Sequence, residues 1–171
     1  MVLNPEKTIV FKTDSGWVGV VSSDVGVKSL YLPRASRYEV ETEIQTRHGV
    51  LHSDAKGNQD LKHRLIQYFT GEAVEFNDPV DLTDRSEFFR LVWGAVKSIP
   101  RGELRTYKEI AELICKPRSA RAVGRALNAN PVPIIVPCHR VVGSNGSLTG
   151  FASGIDLKKK MLCFEGHRFH Q

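Results

Sequence analysis

The chain has 171 residues, of which 41% are hydrophobic and 25% charged, and its formal net charge is +5. This composition excludes wholesale disorder and a disulfide-dependent miniature fold, because a chain of this size can bury roughly 70% of its unfolded surface. No apolar run approaches the ~20 residues of a membrane span, and residues 1–12 lack the apolar core of a secretory signal. We therefore expect a cytoplasmic protein, or a nuclear one in a eukaryote, whose cysteines are free thiols.

The positive charge lies in the second half of the chain. Residues 1–80 carry a net charge of −2, whereas residues 81–171 carry +7. A basic half is typical of a protein that binds a polyanion, although a solvated basic face would have the same composition. The asymmetry predicts two domains with these boundaries, of which the second contacts nucleic acid.

The first half reads as a small sheet followed by helix. Three β-rich runs separated by turn residues predict an antiparallel meander over residues 8–13, 17–22 and 25–32. A short helix is possible near residues 38–47. Apolar residues recur at helical spacing from Asn58, the expected N-cap, until Gly71, and residues 71–83 are expected to be a linker.

The second half reads as helical. A first helix is predicted from the spacing of Phe89, Val92, Trp93 and Val96. A capping box, Thr106 to Glu109, predicts the start of the next helix, which is expected to bury Ile110, Leu113 and Ile114 and to stop at Cys115.

After a short turn, Ser119 is expected to cap a third helix over residues 120–128. Two short helices joined by a tight turn have the proportions of a helix-turn-helix. One face of the second helix is apolar (Ala120, Val123, Ala126, Leu127), and the other presents Arg121, Arg125 and Asn128. This division favours contact with nucleic acid, although a solvated face with two arginines is also common.

The residues best suited to chemistry follow this helix, in residues 130–140. Prolines at 131, 133 and 137 exclude a helix and predict a stiff, extended segment. Cys138 stands beside His139 at its end, which suggests a nucleophile whose proton an imidazole can accept. A glycine- and serine-rich loop at 141–154 could wrap a ligand, and a last helix is expected at about 156–165.

These residues resemble the O6-alkylguanine-DNA alkyltransferases, also called methylated-DNA–protein-cysteine methyltransferases. The similarity is carried by residues 121–146, RAVGRALNANPVPIIVPCHRVVGSNG, together with Thr106-Tyr107 and the ending at 165–168. It is close over residues 86–168, whereas residues 1–80 share only a compatible order of strands and helices. A P-C-H-R box after an R-A-V-G helix is highly specific to this family.

The resemblance implies stoichiometric, irreversible DNA repair without a cofactor. Cys138 would attack the alkyl carbon on guanine O6 and retain the alkyl group as a thioether. His139 would take the thiol proton through a water, and Glu165 would hold the imidazole in the required tautomer. Tyr107 would donate to the guanine ring, and Asn130 would fix the turn that joins the DNA-binding helix to the P-C-H-R segment.

The resemblance also implies the partner, double-stranded DNA containing O6-alkylguanine or O4-alkylthymine, bound by a monomer. The damaged base must leave the stack, because its alkyl group cannot otherwise reach a buried sulfur. The second helix would lie in the minor groove, with Arg121 in the space of the extruded nucleotide. Further DNA contacts are expected at Lys108, Lys116, Arg125 and Ser144.

The implied fold class is α+β. Residues 1–80 would form an α/β domain, a small antiparallel sheet with helix of the ribonuclease H-like kind. Residues 81–171 would form a winged helix-turn-helix-like domain that binds DNA and accepts the alkyl group.

Two features depart from the family pattern. Phe151-Ala152 stands where members commonly have Tyr-Ser, so two hydroxyls beside the substrate are absent and the substrate range could differ. Residues 1–80 contain no cysteine for a structural zinc, and the histidines at 48, 52 and 63 are scattered, so no metal is expected.

Several residues receive plainer interpretations. Cys115 and Cys163 are expected to be small core residues, and Lys158–Lys160 a solvated helix face. Two other functions stay open: a lesion sensor or helix-turn-helix regulator without transfer activity, and a cysteine hydrolase using Cys138, His139 and Glu165. Such sensors lack the nucleophilic cysteine that this chain has.

Overall fold

A computed structural model describes residues 6–49, 52–54 and 57–169 of the protein. The chain divides into two compact units, Met1–Leu82 and Thr83–Gln171. The described residues form a mixed α+β fold with one four-stranded sheet, one two-stranded sheet and six helices. None of the helices in this part of the chain is long and apolar enough to cross a membrane.

The first unit contains the predicted meander. Strands β1 (Lys7–Thr13), β2 (Gly16–Ser22) and β3 (Val27–Arg34) pair antiparallel in sequence order. A two-residue strand, β4 (His52–Ser53), pairs parallel with β1 and completes the sheet order β3-β2-β1-β4. Sequence patterns do not detect β4, because two residues cannot show a period.

Two helices pack on this sheet, α1 (Arg37–His48) and α2 (Gln59–Phe69). Helix α1 buries Val40 and Ile44 against β2, where a Cβ on Gly19 would lie 2.6 Å from the Val40 side chain. Asn58 is at the N-cap of α2 as predicted, but its side chain makes no capping bond and donates to Ser22 Oγ instead, at 2.7 Å.

The segment expected to be a linker, residues 71–83, is free of helix and has one isolated bridge, between Val27 and Val80. It is nevertheless anchored to its own unit. Arg64 on α2 donates to both carboxylate oxygens of Asp78, at 2.9 and 2.7 Å. Backbone bonds from Val27 N to Pro79 O and from Asp81 N to Val27 O hold its end against β3.

The second unit contains four of the described helices, with these bounds: α3 (Glu87–Lys97), α4 (Tyr107–Leu113), α5 (Ala120–Asn128) and α6 (Ile155–Phe164). Helices α3, α4 and α5 pack on one another, and the buried Trp93 indole donates to Ala126 O at 2.8 Å. Strands β5 (Arg105–Thr106) and β6 (Val141–Val142) pair in parallel, so the start of α4 lies beside the residues that follow Cys138.

The capping box of α4 is confirmed: Thr106 Oγ1 accepts from Glu109 N, and Glu109 accepts from Thr106 N. The expected burial of Leu113 and Ile114 is wrong, and the expected cap of α5 is right in its position only. Leu113 is 59% exposed and Ile114 only half-buried, because this seven-residue helix fills its core face with Ile110 and Ala111. Ser119 occupies the N-cap of α5 but makes no side-chain capping bond.

Candidate active site

The segment between α5 and Cys138 folds back on itself. Its prolines exclude helix as expected, but the extended run predicted for residues 131–137 is wrong. Pro133 and Val136 form an isolated bridge, and Ile134 between them has a φ of 75°. Residues 131–139 are all buried, and Cys138–Arg140 form a single 3₁₀ turn rather than a strand.

Asn130 holds this reversal together. Its Nδ2 donates to Val136 O at 2.8 Å, and its Oδ1 accepts from Val132 N at 3.0 Å. The same side chain hydrogen-bonds to the thiol of Cys138. One amide therefore links the end of α5, the proline-rich reversal and the sulfur.

Cys138 is buried, with 6% of its surface exposed. Burial raises the pKa of its thiol, because a thiolate is poorly solvated there. The Asn130 hydrogen bond and the positive charge of Lys158 act in the opposite direction and lower this pKa. The sulfur therefore ionises only with help from its surroundings.

His139, the residue after the cysteine, belongs to a buried chain of hydrogen bonds with Glu165 and Arg140. His139 Nε2 lies 2.8 Å from Glu165 Oε1, and both side chains are fully buried. Arg140 donates to both oxygens of Glu165, at 2.8 and 2.9 Å, and to Ile99 O at 2.6 Å. Burial would raise the pKa of Glu165, but its bonds to His139 and Arg140 lower it to about 2.

The imidazole of His139 is held neutral. Burial lowers its pKa, the bond to Glu165 raises it, and the charges of Arg140 and Lys158 lower it further, so that the net shift is downward. An ionised carboxylate requires the proton on Nε2, which leaves Nδ1 as the ring nitrogen able to accept another proton. The pair has the arrangement of a base and its orienting group.

Lys158 was expected on a solvated face, and this is wrong: the side chain is 1% exposed. Its Nζ donates to Val141 O at 2.6 Å and to Thr149 O at 3.1 Å. The ammonium also lies 5.9 Å from the centre of the Phe151 ring. Burial lowers its pKa to about 8, although Cys138 raises it. Of the other two lysines, Lys159 is half-buried and Lys160 exposed.

Tyr107, the first residue of α4, faces a pocket of about 330 Å³. Its hydroxyl donates to Thr149 O at 2.8 Å, and burial raises the pKa of this hydroxyl. Gly150 has a φ of 68° and lets the loop approach, since a Cβ there would lie 2.9 Å from the Tyr107 hydroxyl. The pocket is lined by Tyr107, Ala120, Arg121, Gly124, Asn128, Thr149 and Gly150.

Five of the residues singled out in the sequence thus form one cluster: Asn130, Cys138, His139, Glu165 and, at its outer side, Tyr107. Arg121 is exposed and shares the Tyr107 pocket. The remaining four are exposed, and within the described part of the chain no hydrogen bond or ion pair joins them to the cluster: Lys108, Lys116, Arg125 and Ser144.

Two cysteine assignments are wrong. Cys115 and Cys163 were expected in the core, but both are exposed. Cys115 was expected at the apolar edge of α4. It instead follows the C-cap of that helix, has a φ of 57° and lies outside the helix.

Two site residues were missed by the sequence argument, Arg140 and Lys158. Helical spacing contains a signal for the second one: Lys158 is three and four residues before the buried Met161 and Leu162, hence on the inner face of α6. Arg140 had no such signal, because its role depends on the distant Glu165 and Ile99.

The chain resembles proteins of one kind in both sequence and structure. Residues 87–167 match the family described as 6-O-methylguanine DNA methyltransferase, DNA binding domain. A methylated-DNA–protein-cysteine methyltransferase of Methanosarcina acetivorans is 50% identical over 108 residues, which span 63% of this chain and 69% of that relative. A relative of the same description from Mycolicibacterium paratuberculosis is 53% identical over 102 residues, 60% of this chain and 61% of its own length.

Among solved structures, Mycobacterium tuberculosis OGT in complex with DNA is similar with a TM-score of 0.77 and 35% identity, covering 93% of this chain and 92% of that one. The O6-methylguanine-DNA methyltransferase of Pyrococcus kodakaraensis is similar with a TM-score of 0.73 and 26% identity, covering 95% and 99%. Both similarities extend over nearly the whole length of the two chains.

Proposed function

This chain belongs to the methylated-DNA–protein-cysteine methyltransferase family, and on that premise we propose that it repairs O6-alkylguanine in DNA by moving the alkyl group onto its own Cys138. O4-alkylthymine is a second substrate of the same chemistry. The observation that carries the proposal is the buried Cys138 beside the His139–Glu165 pair. Such a site offers one thiol, a base to take its proton and a carboxylate to orient the base.

The reaction is a single displacement in which atoms and electrons balance. The thiol proton passes to Nδ1 of His139 through a water, and the sulfur attacks the alkyl carbon. The S–C bond forms as the C–O6 bond breaks, and its electron pair stays on the guanine. The guanine ring takes up one proton, so the net change is exchange of the thiol hydrogen for the alkyl group. Tyr107 donates a hydrogen bond to the ring as this charge develops.

DNA binding is assigned to α4 and α5, a helix-turn-helix that enters the minor groove. Support comes from the exposed Arg121 and Arg125 on the face of α5 opposite its buried residues. The pocket between Tyr107 and Arg121 accepts the flipped base, and Arg121 fills the gap left in the duplex. Lys108, Lys116 and Ser144, all exposed, bind phosphates.

The two units correspond to two domains with boundaries near residue 80. The first is ribonuclease H-like and the second a winged helix-turn-helix, in agreement with the meander and with the β5–β6 pair beside α4. The protein acts as a monomer in the cytoplasm, or in the nucleus of a eukaryote.

The test is the mass of the intact protein after incubation with duplex DNA containing O6-methylguanine. We expect one stable added methyl group, on Cys138, and none on the Cys138→Ala variant, which still binds DNA. The matched control is Cys163→Ala, an exposed cysteine, which should react like the wild type. An unchanged mass would indicate a lesion sensor, and a product released repeatedly would indicate a hydrolase.

A further inference from the structure

A surface near the end of the chain carries positive charge that none of the roles assigned so far uses. It consists of Lys159 and Lys160 on α6 and of Arg168 after this helix, and is called here the C-terminal basic surface. Resting on the proposed function, we propose that it is a second DNA-binding surface. It binds phosphates of the same duplex beyond those held by α4 and α5.

Helix α6 has an inner face toward the core and an outer face toward solvent. Lys158, Met161 and Leu162 are buried on the inner face. Successive residues of a helix are rotated by about 100°, so Lys160 lies on the side opposite to Lys158, and it is exposed. Lys159, between the two, is half-buried. The outer side of α6 therefore carries positive charge that is separate from the active site.

Both lysines of this surface lie over phenylalanine rings. Lys159 Nζ is 5.9 Å from the ring centre of Phe169, and Lys160 Nζ is 5.7 Å from that of Phe164. At such distances a ring attracts the cation without neutralising it, and the N–H groups that point away from the ring can still bind an anion. A restrained lysine loses less conformational entropy on binding than a free one. The two ammonium groups are thus held ready for a ligand such as phosphate.

The backbone places Arg168 beside the two lysines. His167 N donates to Leu162 O at 3.0 Å, so the residues after α6 fold back on the end of the helix. Arg168 comes next and is exposed, and it is followed by Phe169, whose ring contacts Lys159. Three cations from two segments therefore belong to one surface.

In the described part of the chain, no carboxylate forms an ion pair with these cations. Residues 155–169 contain two carboxylates: Glu165 is buried in the active site, and Asp156 is exposed in the first turn of α6 without an ion pair. Exposed cations of the first unit differ, since Arg34 and Arg37 each pair with a glutamate, at 2.5 and 2.7 Å. Charge that is both exposed and uncompensated attracts a polyanion.

The C-terminal basic surface is close enough to the Tyr107 pocket for one duplex to reach both. Thr149, which lines that pocket, accepts from Lys158 Nζ at 3.1 Å, so α6 is attached to the pocket wall. The 10 residues of α6 span about 15 Å, which equals roughly four to five phosphate spacings along a DNA strand. A duplex whose extruded base enters the pocket therefore has further phosphates within reach of this surface.

The first measurement is the salt dependence of binding to an undamaged duplex several helical turns long, by fluorescence anisotropy. The triple variant Lys159→Gln, Lys160→Gln, Arg168→Gln loses three charges but keeps long polar side chains. Its slope of log affinity against log salt should fall by roughly 2 to 3. The double variant Lys159→Arg, Lys160→Arg keeps the charge and should have the slope of the wild type.

The matched control is Lys62→Gln. Lys62 Nζ also lies 5.9 Å from a phenylalanine ring, that of Phe11, but it belongs to the first unit, and its substitution should leave the slope unchanged. An unchanged slope in the triple variant would overturn the proposal and would favour an acidic protein or solvent at this surface. An equal fall in the double arginine variant would also overturn it, because packing on the rings rather than charge would then support binding.

The second measurement is hydroxyl-radical footprinting, at saturating protein, on a duplex that contains one O6-methylguanine. On one side of the lesion, the wild type should protect the backbone further than the triple variant does, and identical footprints would overturn the proposal. Both proteins should react equally fast with the free base O6-benzylguanine, which has no phosphates. If the wild type binds the duplex but gains no methyl group, the proposed function fails, whereas the salt slopes on undamaged DNA still decide the role of the surface.

Discussion

At the scale of single residues, the imidazole of His139 lies between groups that act on it in opposite directions. Glu165 favours the protonated ring, whereas burial, Arg140 and Lys158 disfavour it. The base therefore starts neutral and can take a proton, and the carboxylate then stabilises the imidazolium. Arg140 keeps Glu165 ionised through two hydrogen bonds, so that it cannot compete for the same proton.

Because of these bonds to Glu165, the free energy of unfolding depends on pH in the acid range. The folded pKa of Glu165 is lowered from 4.5 to about 2, so the stabilisation is present above pH 4.5 and is lost as the pH falls through about 2. We expect Glu165→Gln to lower the free energy of unfolding at neutral pH by roughly 3 kcal/mol. The difference from the wild type should narrow as the pH falls below 4.5, in denaturant titrations at several pH values. The control Glu103→Gln breaks only an exposed ion pair with Arg105, so its free energy of unfolding should differ little from that of the wild type. If the difference between Glu165→Gln and the wild type were the same at all pH values, the lowered pKa of Glu165 would be contradicted.

At the scale of elements, helices α4 and α5 begin in different ways. Thr106 and Glu109 satisfy each other's backbone N–H groups at the start of α4. Ser119 stands at the same place in α5 without a side-chain bond. The sequence predicts a capping residue at both positions, but only Thr106 contributes to stability through a side-chain capping bond.

Replacing the two caps by alanine tests this difference. Thr106→Ala should lower the free energy of unfolding by about 1 kcal/mol, because a backbone donor loses its partner. Ser119→Ala should change it by much less, since no bond is lost. Chemical denaturation of the two variants gives the comparison. Equal losses would mean that Ser119 caps its helix in solution.

The arginines of α5 are predicted to differ in function. Arg121 lines the Tyr107 pocket and Arg125 does not. Arg121→Ala should slow repair of duplex DNA by roughly tenfold, because no side chain then fills the gap that the extruded base leaves in the stack. Its reaction with the free base O6-benzylguanine, which needs no flipping, should be nearly unchanged.

The matched control is Arg125→Ala, one turn along the same face. It should weaken DNA binding without a selective effect on flipping. Equal losses of rate on duplex and free base for Arg121→Ala would assign that residue to the fold or the active site rather than to base flipping.

At the scale of the whole molecule, charge is divided between the two halves of the chain. The net charge of +7 in residues 81–171 belongs to the half that contains the site, whereas residues 1–80 carry −2. Attraction to phosphate is independent of sequence, as suits a protein that must find a lesion anywhere in DNA.

DNA affinity should therefore fall with added salt and depend little on base sequence. Alanine at Lys108 or Lys116 should each reduce the slope of log affinity against log salt by about 1, because one released counterion is lost. Lys12→Ala, an exposed lysine on β1, is the control and should leave the slope unchanged. Fluorescence anisotropy over a range of salt concentrations gives the slopes. A strong preference for one short palindrome would favour a regulator instead.

Features that depend on neighbouring residues could be predicted from the sequence. The meander, the capping box of α4 and the two faces of α5 follow from turn chemistry and from periods of two and 3.6 residues, which act within a few positions of the chain. Cys138 stood out in the same way, because its neighbours His139 and the prolines are adjacent in sequence.

The contacts that each of these residues makes could not be predicted, because they involve residues distant in the chain. Whether residues 131–137 run straight or fold back depends on hydrogen bonds from Asn130, and whether Cys163 is buried depends on what packs beside α6. Lys158 and Arg140 reach carbonyls 17 and 41 residues away along the chain. Burial and charge compensation are properties of such distant pairs, so the composition and spacing of one segment do not specify them.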